Sequence, residues 1–521
     1  LLTVKDKVKD PYNIGVSWAD EFNWDNVANV KDFGAEGDAS KYDTAAIQAA
    51  IDSVTEEGGF VYLPEGTYII ESLKLPGYVV IAGDGMDKTT LLYRGDTENR
   101  TQSEINADVI VQSDYERRGI EGRQGILNIT IDIDKSSDVK YQPKNYFWLG
   151  HGWNPLNASA RTAKYIFVKN SRIGTRSFDW EKMEGVSGLG DKLRKAASLV
   201  AADKYLLVEG CEFLGDTASF TSTYMNRYIM FRNNTVNTFY GNVCCHCENT
   251  IYENNSITRC PWYIGKDVGI SRQGIYSRNN SYVANNTINN TGCYQGDGEV
   301  IATESYNSGT RMYGNVEAAG ASTLKLKPKT NKVGFVLDNK TWGNDGWDLS
   351  KRGYGTWNIV ITDGRGVGQR RNIVSADRST RTMKIDRPWD IIPDSTSKFT
   401  VYLPEDHISY YKNTVSDCSW AFLLYGGGYD NVIAYNEGYN MQGIDMCAIL
   451  KESYEDNSGD NMDNRVWFHY FTRCAGNKFI GPSWKSKVVG ITLNVKYEMG
   501  DLNSRYAYGI EIKNNYIEGD G

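Results

Sequence analysis

The residues best suited to chemistry in this 521-residue chain lie in Gly296-Asp297-Gly298-Glu299-Val300-Ile301-Ala302-Thr303-Glu304. Asp297 and Glu299 stand two apart, the period that places residues on one face of a strand. Two carboxylates that close push one pKa upward and leave the other low, which makes an acid and a base from like residues. Hydrolysis of a glycosidic bond asks for that pair: one carboxyl protonates the leaving oxygen, and the other attacks or activates water. The flanking glycines let a substrate approach the backbone. Asp297, Glu299 and Glu304 are therefore the candidate catalytic residues. A solvated turn at a strand start, or a calcium site, fits the same spacing. No other cofactor is expected.

A carboxylate pair needs a scaffold, and the flanking sequence predicts one. Tyr228-Ile229-Met230-Phe231-Arg232-Asn233-Asn234-Thr235-Val236 is answered by Thr250-Ile251-Tyr252-Glu253-Asn254-Asn255-Ser256-Ile257 and by Tyr282-Val283-Ala284-Asn285-Asn286-Thr287-Ile288. Each unit is a short apolar strand, two asparagines, a small hydroxyl residue and an apolar residue. Recurrence every 21 and then 31 residues points to a solenoid. Short β-branched and aromatic runs make it a β-solenoid. Each coil must turn corners, and Asn accepts positive φ better than most residues. Stacked Asn side chains can also bond to the coils above and below, at ~1 kcal/mol net per bond. Asn233-Asn234-Thr235 and Asn285-Asn286-Thr287 also fit glycosylation signatures, but their register with the strands favours the ladder.

Stacking the coils aligns the strands that follow each asparagine corner, at 242–247, 262–268, 295–304, 420–425 and 443–452. Neighbouring coils lie about 4.8 Å apart, so equivalent residues form columns. His246, Lys266, Asp267, Tyr425 and Asp445 join the carboxylates there, with Trp262, Tyr294 and Trp420 at the border. These are the candidate substrate-binding residues. A second chemistry fits the same columns: abstraction of the proton beside a uronate carboxylate, by a base drawn from Lys266, Arg272, Tyr425, Lys451 and His246.

Composition narrows the partner. The net charge is −8 and there is no long basic tract, which argues against a nucleic-acid surface. The 35 Tyr and 13 Trp suit sugar recognition, where a ring face meets a pyranose and the polar tip stays wet. A polysaccharide or oligosaccharide is the expected partner of a monomer that neither binds nucleic acid nor spans a membrane. No 18-residue apolar run occurs. The nine cysteines, an odd number, cannot all pair internally. Cys260 and Cys418 hold the same repeat position, with Cys293 nearby, and read as stacked core thiols. Cys244-Cys245-His246-Cys247 has neighbours on opposite strand faces, the wrong spacing for a zinc site.

The N-terminal part supplies a cap. Residues 1–28 are expected to wrap the first coils. Asp43 is placed to cap a helix over about 44–56, with Ile47, Ile51 and Val54 on one face and Gly58-Gly59 ending it. Strands follow at 60–68 and 78–83. An open solenoid end exposes strand edges, and a helix can cover them.

This stretch resembles the pectate-lyase-like superfamily of right-handed parallel β-helix proteins. The match runs over residues 30–92: Val-Lys-Asp-Phe-Gly-Ala from Val30, Asp-Thr-Ala-Ala-Ile-Gln-Ala-Ala-Ile from Asp43, and Gly-Gly-Phe-Val-Tyr-Leu-Pro-Glu-Gly-Thr-Tyr from Gly58. The resemblance implies the fold and a secreted or cell-surface, carbohydrate-active protein. It implies no particular reaction, since hydrolases, lyases and phage tailspikes share the pattern. The polygalacturonase motifs Asn-Thr-Asp, Asp-Asp and Arg-Ile-Lys are missing in usable order. Gly150-His151-Gly152 precedes most coils, whereas that family's equivalent follows its acidic motifs.

The expected architecture is thus all-β: cap and coils over 1–316, an inserted β-rich subdomain over 317–403, and further coils over 404–521. Residues 174–203 read as a charged rim loop, and Gly364-Arg365-Gly366-Val367-Gly368 as a turn. The insertion leaves the coils just after Glu304 and rejoins them near residue 408, so its tryptophans, Trp342, Trp347, Trp357 and Trp389, with Tyr354 and Arg370-Arg371, either form a flap over the carboxylates or build a small core of their own. A repeat unit still present at Ile510–Ile517 predicts that coils continue beyond residue 521. Expected functions are an extracellular glycoside hydrolase, a uronate lyase or epimerase, or a tailspike-like glycan binder.

Overall fold

The computed structural model describes residues 21–519 apart from 135–142, 151–162, 175–196, 203, 216–219, 223–226, 239–243, 260–274, 278, 290–298, 305–309, 328–356, 378, 403–404, 419, 452–464, 467, 482–488 and 498–506. Two compact units are present: 1–276 with 282–300 and 413–419, and 277–281 with 301–412 and 420–521.

The first unit is wound from coils of parallel strands, and alternation along each strand decides what faces the core. Strand Arg227–Arg232 pairs in parallel with Lys204–Glu209 before it and with Cys244–Glu253 after it. Phe231 is fully buried and packs against Phe213 and Tyr252. Met230, one residue earlier, joins an outer cluster with Phe22, Phe60 and Phe167. Phe22 meets Phe167 at 5.3 Å and Trp24 stacks on Phe60 at 4.7 Å, so this part of the N-terminal segment lies over the coils as expected. The all-parallel ladders form the right-handed parallel β-helix.

The cap is the helix Thr44–Ser53, which buries Ile47, Ala50 and Ile51. Asp43 precedes it, but its carboxylate makes no cap bond. It accepts instead from the backbone of Glu36 at 2.7 Å and Gly37 at 3.1 Å, tying the incoming loop to the helix start. The stretch read as one strand over 60–68 is two, Gly59–Leu63 and Gly66–Ile70, because Pro64-Glu65 turns a corner between sheets.

The paired asparagines divide the work. The first of each pair takes the left-handed backbone, with φ of 56° at Asn233, 55° at Asn254 and 53° at Asn285. The second is buried and forms the ladder. Asn255 Nδ2 donates to Phe231 O at 3.0 Å and to Asn286 Oδ1 at 2.9 Å. Asn286 repeats this with Tyr252 O and Asn413 Oδ1. In the second unit Asn436, Asn477 and Asn515 do the same, which places residues 436, 477 and 515 at equivalent corners.

The second unit also contains a closed six-stranded barrel: Thr310–Gly320, Thr323–Leu326, Asn358–Asp363, Arg370–Asp377, Thr382–Ile385 and Lys398–Tyr402. Trp357 and Trp389 sit in its core with Ile359, Met383, Phe399 and Val401. Gly364, Gly366 and Gly368 have φ of 73°, 83° and 88° and form the turn before Arg370–Asp377. The barrel is fastened to coils of its own unit. Val360 and Tyr402 share a buried cluster with Phe468 and Tyr470, Tyr470 Oη donates to Thr362 O at 3.3 Å, and Tyr429 Oη donates to Gly368 O at 3.0 Å.

Cys211, Cys418, Cys447 and Cys474 are buried free thiols, and no disulfide occurs among the described residues. Cys260, Cys293, Trp342, Trp347 and Tyr354 lie outside them.

Candidate functional site

The carboxylate segment ends in strand Glu299–Glu304, in which Val300, Ile301, Ala302 and Thr303 are all buried. From Ile301 onward this strand belongs to the second unit and lies beside Trp420–Tyr425. That strand pairs in parallel with Gly443–Lys451, which pairs with Gly490–Tyr497. Of the strands expected to carry the site, those at 299–304, 420–425 and 443–451 follow one another in the sheet, while 262–268 lies outside the described residues. Trp420 is half-buried. Asp297, Trp262, Lys266, Asp267, Arg272 and Tyr294 lie outside the described residues, as do the side chains of His246, Glu299, Glu304, Tyr425 and Lys451.

Asp445 can be placed. It stands in register with Leu423 on one side and Thr492 on the other. Its carboxylate is 5 % exposed and accepts from Cys447 Sγ at 3.3 Å. The strand starts at Gly443, whose φ is 98° and where a Cβ would lie 2.1 Å from Gly490 O. Only glycine allows the two coils to close there, and that closure sets Asp445 in its column.

Behind this strand lies a histidine that the sequence reading passed over. His469 is fully buried, with Nε2 3.0 Å from Cys447 O. Burial pushes its pKa down to about 4, so the ring is neutral and Nε2–H donates to the carbonyl. No local motif marks His469; only the closing of one coil on the next gives it this partner.

A second polar cluster holds the barrel to its coils. Arg370 Nε lies 2.6 Å from Asp406 Oδ2, and Tyr402 Oη donates to the same oxygen at 3.0 Å. Burial pushes the Asp406 carboxyl up to about 7, against the opposing pull of Arg370. Asp406 is wholly inaccessible, so the cluster is a structural rivet rather than a site that a polysaccharide can reach. The flap expectation is overturned for the residues described. Trp357 and Trp389 fill the barrel core, Arg370 is held by Asp406, and buried Arg371 donates to Pro388 O and Asp390. Closing six short strands leaves an interior that large apolar rings must fill.

Close to the rivet, an open cavity of about 440 Å³ is lined by Tyr429, Asp430, Phe471, Thr472, Arg473, Gly509 and Glu511. An exposed aromatic ring beside carboxylates and a guanidinium suits a sugar. Its residues come from three coils, which is why no single stretch announced it. Among the described residues, no group of three or more His, Cys, Asp or Glu is placed to hold a metal ion, and no helix is long and apolar enough to cross a membrane.

Comparison with known proteins points to carbohydrates. Residues 27–262, less than half of the chain, match the family model for rhamnogalacturonase A/epimerase, pectate lyase-like. Mannuronan C5-epimerase AlgE3 of Azotobacter vinelandii is 46% identical over 83 residues, which are 14% of this chain and 4% of that protein. Alginate lyase 7 of the same organism is 40% identical over 114 residues, 20% of this chain and 12% of that protein. The chain thus spans only a small fraction of these relatives. The exopolygalacturonase of Thermotoga maritima aligns over 99% of this chain and 96% of its own, at 9% identity and a TM-score of 0.43. So distant a likeness adds nothing to what the coils already show. The N-terminal match, the asparagine corners and the parallel coils agree on one fold, the parallel β-helix. Residues 27–262 thus resemble the pectate-lyase-like superfamily, and the chain has the right-handed parallel β-helix fold of those proteins.

Proposed function

We propose that the chain is a glycoside hydrolase acting on a polysaccharide outside the cell, with its acid and its base or nucleophile drawn from Asp297, Glu299 and Glu304. The observation that carries this reading is that residues 301–304, the end of an acidic segment, run beside the aromatic strand Trp420–Tyr425 in one sheet of the second unit. Carboxylates supply the proton and the nucleophile or base, while aromatic rings hold the sugar. The reading requires no metal; calcium, if it takes part, would be held by the same acidic segment. Asp297→Asn and Glu304→Gln should each lower turnover about a hundredfold or more with the fold intact. Full activity in both variants removes the site.

A second reading is favoured by the names of the relatives, among them mannuronan epimerases and an alginate lyase. A lyase or epimerase would abstract a proton beside a uronate carboxylate and would leave glycosidic water chemistry unused. Digestion of a glycan panel separates the readings: saturated oligosaccharides with a new reducing end support hydrolysis, and ultraviolet-absorbing unsaturated uronates support elimination. Epimerisation would alter the uronate proton spectrum without shortening the chain. Binding without any product would place the protein with the glycan-binding tailspikes.

A further inference from the structure

One corner column of the first unit is built at a conformational cost, and only its lower part, Tyr165 and Tyr205, packs against the outer cluster. Tyr165, Tyr205 and Tyr228 occupy the same corner in three successive coils, each the second residue of a strand that carries the outer cluster. All three have a left-handed backbone, with φ of 56°, 60° and 58°. A bulky residue is strained there, and Asn or Gly is the ordinary choice; the next coil indeed has Asn249 at this position, with φ of 53°. The rings form a continuous stack. Tyr165 and Tyr205 lie 4.9 Å apart at 13°, and Tyr205 and Tyr228 lie 5.2 Å apart at 24°. Arg123 closes the lower end, with its guanidinium 5.3 Å from the Tyr165 ring centre. Tyr228 ends the stack at the top and is 46 % exposed.

The residue before each tyrosine is a cation. Lys164, Lys204 and Arg227 stand in one register column. Cations elsewhere on the same strands are neutralised in place: Lys169 and Arg232 both bind Glu209, at 2.6 and 2.7 Å. Lys164 and Lys204 have no such carboxylate partner among the described residues. The corner thus repeats a cation and an aromatic ring once per coil. Its spacing of about 4.8 Å is close to the advance of an extended sugar chain per pyranose.

We infer that this corner binds an acidic polysaccharide laid along the coils, with uronate carboxylates against Lys164 and Lys204 and a pyranose face on Tyr228. Charge complementarity selects a polyuronate over a neutral glycan, and the stacked rings hold the platform rigid before ligand arrives. The inference rests on the polysaccharide part of the function proposed above, but not on hydrolysis.

The test is binding of the full chain to polygalacturonate, alginate and a neutral β-glucan, by affinity electrophoresis and titration calorimetry at two salt concentrations. Lys164→Gln with Lys204→Gln removes the charges. Tyr228→Asn removes the platform while keeping a residue that tolerates the backbone. Circular dichroism and thermal unfolding confirm that each variant is folded. The double lysine variant should bind polyuronate about tenfold more weakly and with a flatter salt dependence. Tyr228→Asn should weaken it without changing that dependence. Unchanged affinity in either folded variant, equal binding of the neutral glucan, or no polyuronate binding by the parent chain overturns the inference. Turnover measured in parallel keeps the two proposals separable: binding without products removes hydrolysis alone, whereas products with unaltered binding by the lysine and tyrosine variants remove the corner site alone.

Discussion

Replacing one asparagine of a pair should cost several times what replacing its neighbour costs. Asn255 makes four side-chain hydrogen bonds: its Nδ2 donates to Phe231 O and Asn286 Oδ1, and its Oδ1 accepts from Asn234 N and Asn234 Nδ2, all within 2.9–3.1 Å. Asn255 is 1 % exposed, so water cannot replace them. At about 1 kcal/mol net for each, Asn255→Ala should destabilise its coils by about 3–5 kcal/mol, with stranded buried partners pushing toward the upper end. Asn254 is exposed and contributes chiefly its φ of 55°. Asn254→Ala should cost about 1–2 kcal/mol, and Asn254→Gly less. Coils of a solenoid open locally, so amide hydrogen exchange at Asn234 and Asn255 is the direct readout, with urea unfolding alongside. Equal losses for Asn254→Ala and Asn255→Ala, or unchanged exchange at Asn234 after Asn255→Ala, would refute the assignment of the ladder to the second asparagine.

His469 should make the second unit acid-sensitive. Its pKa is depressed to about 4 in the fold against about 6.5 unfolded, so its contribution is whole above pH 6.5 and is lost as pH falls from there to about 4. The full span is worth about 3 kcal/mol, and His469→Gln should flatten that part of a stability–pH curve; an unaltered slope refutes the burial argument. Excising residues 317–403 with a glycine linker should not leave the coils untouched. The cut removes Val360 and Tyr402 from their cluster with Phe468 and Tyr470 and strips Arg370 from Asp406, so thermal unfolding of the remaining coils should fall by several degrees. A deletion variant as stable as the parent, with unchanged KM, would show that the barrel neither braces the coils nor serves the site.

The repeat is legible in the chain without any coordinates. A strand, an Asn-Asn corner and a second strand are local patterns, and each coil restates them, so one error of reading is corrected by the next. The winding at Asn234, Asn255 and Asn286, the helix face of Ile47 and Ile51, and the order of the strands from 299 to 451 were all legible in this way. Tertiary structure decided what depends on which coil lies above another. Nothing near Asp43 in sequence tells its carboxylate to bond backward to Glu36 and Gly37 rather than forward into the helix. Trp357 and Trp389 have the composition of a sugar-binding flap, and only closure of the barrel turns them inward. His469 finds Cys447 O across 22 residues, Asp406 finds Arg370 across 36, and the three stacked tyrosines meet across gaps of 40 and 23. Such partners are set by stacking at one strand spacing, whatever the length of loop between coils. Periodicity therefore fixes the winding, while the lengths of the intervening loops, which carry no pattern, decide which polar and aromatic residues meet.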